Sequence, residues 1–226
     1  MDVRCRGGGP ETLRYLMVLG SVRDSTPPRP ARIGERVARA CLSHLTAHDA
    51  TLVDPLDFEF PRVFKPHFAY AAGKAPPKME ELARRIEAAD GFVMISPEYN
   101  HSMSPALADL LNHFGSSLFA YKPSAIVTYS AGQWGGTRAA AALRPFLSEL
   151  GCIPVSAMVH IPKAQEAFDE ARQPLAPATE GGWCSYFDRT FDQLTWWAEA
   201  ARRQREAGSQ ARPEAFLKSP QDRNAP

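Results

Sequence analysis

No two of the four cysteines in this chain stand close enough to form a metal or redox pair. Cys5, Cys41, Cys152 and Cys184 are scattered along 226 residues without a CxxC or any other ligand spacing. That pattern excludes a disulfide-stapled secreted scaffold and gives no metal site. Long apolar runs are also missing. The longest near the start, Leu13 to Gly20, is less than half the ~20 residues that a spanning helix needs, and no small-residue cleavage signature accompanies it. Neither sign of charge is in excess: 26 Lys and Arg stand against 25 Asp and Glu, for a net charge of +1. Nucleic acid or an anionic membrane would call for a basic footprint. Local clusters such as Arg202-Arg203-Gln204-Arg205 read as a solvated helix face. Neither a GxGxxG fingerprint nor a GKS phosphate loop occurs. These absences predict a cytoplasmic protein with no nucleic-acid partner, no membrane partner and no metal.

What is present is an ordinary globular composition, 44% hydrophobic and 23% charged, in a chain long enough for one α/β domain with a full core. Residues 1–11, with Gly7-Gly8-Gly9-Pro10, read as a disordered leader, residues 12–207 as a single domain, and residues 208–226 as a flexible tail. Five apolar runs read as strands: Leu13–Leu19, Thr51–Asp54, Gly91–Ile95, Ser124–Tyr129 and Ile153–Ile161. Helical patterns alternate with them, from about Arg32 to Leu45, from Pro76-Pro77 onward, from Ser104 to about Phe114, from about Thr137 to Leu150 and from Ser185 to Ala207. Pro55 to Ala75 reads as irregular with one helical turn, and Lys163 to Gly182 as a connection. Such alternation predicts a parallel sheet covered on both faces, with strand order 2-1-3-4-5.

In open α/β sheets ligands bind outside the carboxyl ends of the strands, and three loops there carry distinctive residues. After the first strand comes Gly20-Ser21-Val22-Arg23, with Arg29, Arg32 and Gly34 before or at the next helix. Helix N-terminal amides, hydroxyls and guanidinium groups make a phosphate site, although a plain strand–turn–helix reads the same way. After the third strand comes Ser96-Pro97-Glu98-Tyr99-Asn100-His101-Ser102. Pro97 sharpens the turn, Tyr99 offers an aromatic wall or is an ordinary half-buried ring, and Asn100 bonds a ligand edge or holds the loop. Glu98 reads as a buttress to the loop or to a neighbouring subunit rather than a catalytic acid, and His101 as a surface or capping imidazole. After the fourth strand comes Tyr129-Ser130-Ala131-Gly132-Gln133-Trp134-Gly135-Gly136-Thr137-Arg138, whose glycines permit positive φ and close approach to a ligand.

Together the three loops resemble the NADPH-dependent FMN reductase family, flavodoxin-like enzymes that include quinone, azo and chromate reductases. The matching pieces are Gly20-Ser21-x-Arg23 with Arg32-Ile33-Gly34-Glu35, then Ser96 to Ser102, then Ser130-x-Gly132 with Gly135-Gly136-x-Arg138-Ala139. Leu143-Arg144-Pro145-Phe146-Leu147-Ser148-Glu149-Leu150-Gly151 completes the likeness, which covers roughly residues 13 to 162.

The resemblance implies a flavodoxin-like three-layer sandwich and an FMN-dependent NAD(P)H oxidoreductase that reduces quinones or similar small acceptors by ping-pong hydride transfer. Reduction of free flavin and an FMN electron carrier or regulator are the alternatives, the carrier disfavoured by the near-zero net charge. Ser21, Arg23 and Arg32 would hold the FMN phosphate. Pro97, Glu98, Tyr99 and Asn100 would line the isoalloxazine, and Ser130, Gly132 and Gly135 its pyrimidine end. No side chain is implied as catalytic, since the flavin carries the hydride. A homodimer or homotetramer is implied too, with Phe58 to Tyr70 and Trp196-Trp197 as candidate interface patches. Two departures stand out: the first loop carries the extra residues Asp24 to Pro30, leaving open which Arg meets phosphate, and the third carries Gln133-Trp134.

Overall fold

The chain alternates strand and helix five times, and a computed structural model shows where that leads; it describes residues 12–23, 32–169 and 177–208. The strands β1 (Arg14–Leu19), β2 (Asp49–Val53), β3 (Gly91–Pro97), β4 (Pro123–Tyr129) and β5 (Ile153–Ile161) form one sheet in the order β2-β1-β3-β4-β5. Every pairing is parallel, as expected. β3 and β4 are buried at every position because a central parallel strand is covered on both faces and has no side for water. The edge strands β2 and β5 alternate buried and open positions instead.

The helices α1 (Ile33–Ser43), α2 (Pro77–Ala88), α3 (Pro105–Asn112), α4 (Ser116–Phe119), α5 (Thr137–Glu149), α6 (Ala164–Ala167) and α7 (Pro177–Glu206) complete the layers. On one face Val37, Ala38 and Cys41 of α1 join Phe187, Phe191, Leu194 and Ala198 of α7 against Met17, Val93, Val127 and Val159. On the other, Met79 and Leu82 of α2, Leu107 and Leu111 of α3, and Leu143 and Leu147 of α5 meet Leu16, Val18, Met94 and Ile126. Successive β1 residues point to opposite cores, the period-2 alternation of a strand.

Most boundaries follow the local sequence. Ser104 caps α3, its Oγ accepting from the Ala106 N–H at 3.2 Å, with Pro105 at the first helical position. β3 runs on to Pro97, two residues past the expected end, because Ser96 and Pro97 still pair with Thr128 and Tyr129. α7 begins at Pro177 rather than Ser185, and the one-turn α6 lies within the expected connection. The segment from Pro55 to Ala75 holds two 3-10 turns, Pro55–Asp57 and His67–Ala69, instead of one helical turn. The leader over 1–11 lies outside the described residues. So do residues 209–226 of the expected tail and the extra residues 24–30 of the first loop, Arg29 included.

Candidate functional site

Register puts the ends of β1, β3 and β4 at one edge of the sheet: Leu19 pairs with Ile95, and Pro97 with Tyr129. The first loop leaves β1 through Gly20, whose N–H donates to the Ile95 carbonyl at 2.7 Å. A Cβ at Gly20 would stand 2.9 Å from that carbonyl and 3.0 Å from the Leu107 Cβ, so only glycine fits. Ser21 is buried, while Val22 and Arg23 are exposed. Arg32, at the N-cap of α1, is 6% exposed. Its guanidinium pairs with the Asp54 carboxylate at the end of β2 and donates from Nη1 to the Ser21 carbonyl at 2.6 Å.

Two observations in this loop suit an anion. Among the described residues, Arg32 Nε is buried without a hydrogen-bond partner and no side chain caps the N-terminal amides of α1. The rest of the Arg32 guanidinium holds the loop in shape through Asp54 and the Ser21 carbonyl. Gly34, in the first turn of α1, makes room for the Tyr129 phenol, which a Cβ there would strike. Burial pushes that phenol's pKa well above its ordinary value.

The second loop is a two-residue hairpin. Tyr99 N–H donates to the Ser102 carbonyl at 3.1 Å, and Ser102 N–H returns the bond to Tyr99 at 3.0 Å. Asn100 and His101 sit between them at φ 50° and 60°, the left-handed pair of a type I′ turn. Asn and His are among the non-glycine residues that enter this region most readily. Ser96 secures the base: its Oγ accepts from Ser104 N–H at 2.9 Å and donates to the Pro97 carbonyl at 2.8 Å.

Glu98 joins this hairpin to the third loop. Its N–H donates to the Tyr129 carbonyl at 3.2 Å, and its carboxylate accepts from Arg138 Nη1 at 2.9 Å and from Arg138 N–H at 3.2 Å. The carboxylate therefore sits at the N-terminus of α5, where the helix dipole favours negative charge. This geometry matches the loop buttress expected of Glu98.

In the third loop, Ser130 N–H donates to the Ile161 carbonyl at 3.1 Å and Ser130 Oγ to the Gly132 carbonyl at 2.9 Å. Lys163 N–H also reaches Gly132, at 2.9 Å. Gly135 and Gly136 take φ 62° and 80°. Beneath them the Thr128 hydroxyl donates to the Gly135 carbonyl at 2.9 Å, so His160 Nδ1, 2.8 Å away, must donate to Thr128. Burial and nearby Arg189 lower the His160 pKa, which favours the neutral ring. Gly132 differs from its neighbours, since a Cβ there would meet nothing within 4 Å. Packing among the described residues gives no reason for glycine at 132.

Pro97 thus closes β3, and the other nine expected site residues lie on the three loops that follow β1, β3 and β4. The supporting residues Asp54, Thr128, Arg138 and His160 were missed as partners; Thr128 is 7 positions from the carbonyl it holds, and the others are 22 to 40 positions from theirs. The clue lay in the strand order, which sets the end of β2 beside β1 and that of β5 beside β4. Among the described residues no group of His, Cys, Asp or Glu could hold a metal ion, and no helix is long and apolar enough to cross a membrane.

An all-parallel 2-1-3-4-5 sheet with an anion-suited first loop and two shaped loops beside it defines the class of flavodoxin-like proteins. Within that class the chain belongs to the NADPH-dependent FMN reductase family, whose family model matches residues 13–166. It is 38% identical over 104 residues to an NAD(P)H-dependent FMN reductase of Pseudomonas aeruginosa, covering 44% of this chain and 56% of that protein. Over 75 residues it is 40% identical to a quinone reductase of Escherichia coli, covering 32% of this chain and 40% of the relative. The matches therefore span about half of these relatives' length. Among solved structures, the flavoenzyme NAD(P)H:acceptor oxidoreductase FerB of Paracoccus denitrificans superposes with a TM-score of 0.64 at 18% identity. It covers 84% of this chain and 99% of that one, a likeness that speaks for the fold.

Proposed function

We propose that this protein binds FMN at the three loops and acts as an NAD(P)H oxidoreductase toward quinones or similar small planar acceptors. The observation that carries the reading is the paired fit of Arg32 and Gly132: among the described residues, a buried guanidinium N–H without a partner and a glycine without a packing reason. Ser21, Arg23 and Arg32 hold the phosphate, with the α1 amides behind them. Pro97, Glu98, Tyr99 and Asn100 line the ring system, and Ser130, Gly132 and Gly135 wrap its pyrimidine end through backbone groups. Bound there, FMN would supply hydride transfer from a reduced nicotinamide to the acceptor, each occupying the same place in turn. The chain's own part is to orient the cofactor and leave one face open, and no side chain is assigned a proton-transfer role.

The name of the Pseudomonas relative favours a second reading, reduction of diffusing flavin. A visible spectrum of the purified protein, followed by NADPH under anaerobic conditions, tests both. Retained flavin bands that bleach on NADPH support the first reading. A colourless protein that oxidises NADPH only with added flavin supports the second, and one that retains no FMN and oxidises no NADPH overturns both. Arg23→Ala is expected to raise the Kd for FMN about tenfold or more, the loss of one charge-assisted hydrogen bond; unchanged affinity in a flavin titration would remove Arg23 from the site.

Leu56, Val63, Phe64 and Phe68, exposed along the strap after β2, support the dimeric reading. Under them His113, stacked on Phe60 at 4.1 Å, has a buried Nε2 with no partner among the described residues. Sedimentation at micromolar concentration is expected to show a dimer or tetramer, and a monomer would count against the strap as an interface. Free Cys41, Cys152 and Cys184 agree with a reducing, cytoplasmic setting. We read residues 12–207 as one domain.

A further inference from the structure

Trp134 is 58% exposed, yet the backbone beside it is tightly held. Its carbonyl accepts from Thr137 N–H at 3.3 Å. The next two residues are the left-handed glycines 135 and 136, packed so closely that added Cβ atoms would lie 3.1 Å from His160 and 2.8 Å from Thr128. The Gly135 carbonyl is held in turn by the Thr128 hydroxyl. The loop therefore cannot swing the indole away without breaking these contacts.

The side chain is held as well. The Arg138 guanidinium lies 5.8 Å from the indole centroid, within cation–π range. Arg138 is itself fixed by Glu98 through both its guanidinium and its backbone N–H. Glu98 already balances the charge of Arg138, so the guanidinium serves to back the ring. The three residues form a bracket, Glu98–Arg138–Trp134, that ties the second loop to the third and leaves an indole standing at their mouth. Most large exposed apolar groups elsewhere lie on the strap after β2 or on α7; here each of the three loops presents one, Val22, Tyr99 and Trp134.

We infer that Trp134 is a specificity-determining residue, a stacking platform that favours planar, electron-poor ring acceptors over compact, non-planar ones. The inference rests on the FMN reading above and deepens it by naming how the acceptor is chosen. Indole is electron-rich and flat, so a fused-ring quinone gains offset stacking on it, whereas a small octahedral complex has no face to offer. Glu98 and Arg138 act through Trp134 as positioning residues.

The test compares wild type, Trp134→Ala and Trp134→Phe as FMN-loaded enzymes, with a methyl-naphthoquinone and with ferricyanide as acceptors. In a ping-pong scheme kcat/KM for the acceptor reports on its own half-reaction. The ratio of kcat/KM for the quinone to that for ferricyanide is expected to fall about three- to tenfold in Trp134→Ala, as the loss of one aromatic pair predicts. Trp134→Phe should recover most of it. An equal loss on both acceptors, no change in the ratio, or a change that accompanies a shift in oligomeric state would each overturn the inference. If wild type neither retains FMN nor oxidises NADPH, the parent reading fails first, and that result is seen before any variant is compared.

Discussion

Gly136→Ala is expected to lower folding stability by about 2–5 kcal/mol and to abolish tight FMN retention. Gly136 caps α5 at φ 80°, and an L-residue there costs ~1–2 kcal/mol before any contact is considered. The new Cβ would then stand 2.8 Å from the Thr128 Cβ and 3.1 Å from the Tyr129 N. Neither neighbour can yield, since Thr128 is buried in a central strand and anchors the loop through Gly135. Overpacking of that kind costs a further ~1–3 kcal/mol. Relief can come only from moving the loop, which carries Ser130, Gly132 and Gly135 away from the ligand position.

The matched control is Gly132→Ala. Its backbone is not left-handed and its Cβ would project into open space, so the folded protein should keep its denaturant midpoint. Its FMN affinity alone should drop. Urea titration, with the m-value checked for constancy, and a flavin binding curve separate the two variants. If Gly132→Ala also leaves FMN affinity intact, Gly132 does not meet the cofactor.

These glycines show how legible the site was. Three glycines between a strand and a helix announce a shaped loop, and the strand itself announces burial through an unbroken apolar run. The parallel order follows from alternation and handedness, which are local and topological properties. What the sequence could not show is which distant groups meet. Arg32 reads as a phosphate ligand by type, and only the pairing of β1 with β2 brings Asp54 to its guanidinium. Likewise Arg138 reads as one more helix-start cation until the hairpin after β3 delivers Glu98 to it. The hairpin is itself hard to foresee, because Asn100-His101 lacks the glycine that usually marks a type I′ turn. The early start of α7 escaped for the opposite reason. Gly181-Gly182 are poor helix formers, and tertiary packing of Phe187 and Phe191 outweighs that local preference.

Asp90→Ala is expected to cost about 3–5 kcal/mol, the typical loss when a buried ion pair is broken by removing one partner. Asp90 is 4% exposed in the turn between α2 and β3. Its carboxylate accepts from Arg14 N–H at 3.0 Å and from Arg205 Nη2 at 2.8 Å, with Arg202 Nη1 3.7 Å away. Alanine would leave the β1 amide without its acceptor and take from Arg205 the carboxylate it shares with Arg202, which keeps Glu206 at 2.8 Å. Asp90→Asn, which can still accept from Arg14, should lose less. The consequence reaches further than the turn because both arginines belong to α7, past residue 166 where the family match ends. That helix is no appendage: Phe187, Phe191, Leu194 and Ala198 are all buried in the core that α1 shares, and Tyr186 Oη accepts from His160 N–H at 3.1 Å beneath the third loop. Asp90→Ala should therefore unfold in one transition at lower urea, with the fluorescence of Trp196 and Trp197 on α7 falling together with far-ultraviolet dichroism. A separate, earlier fluorescence transition would mean that α7 detaches alone and that the sheet carries its FMN loops without it.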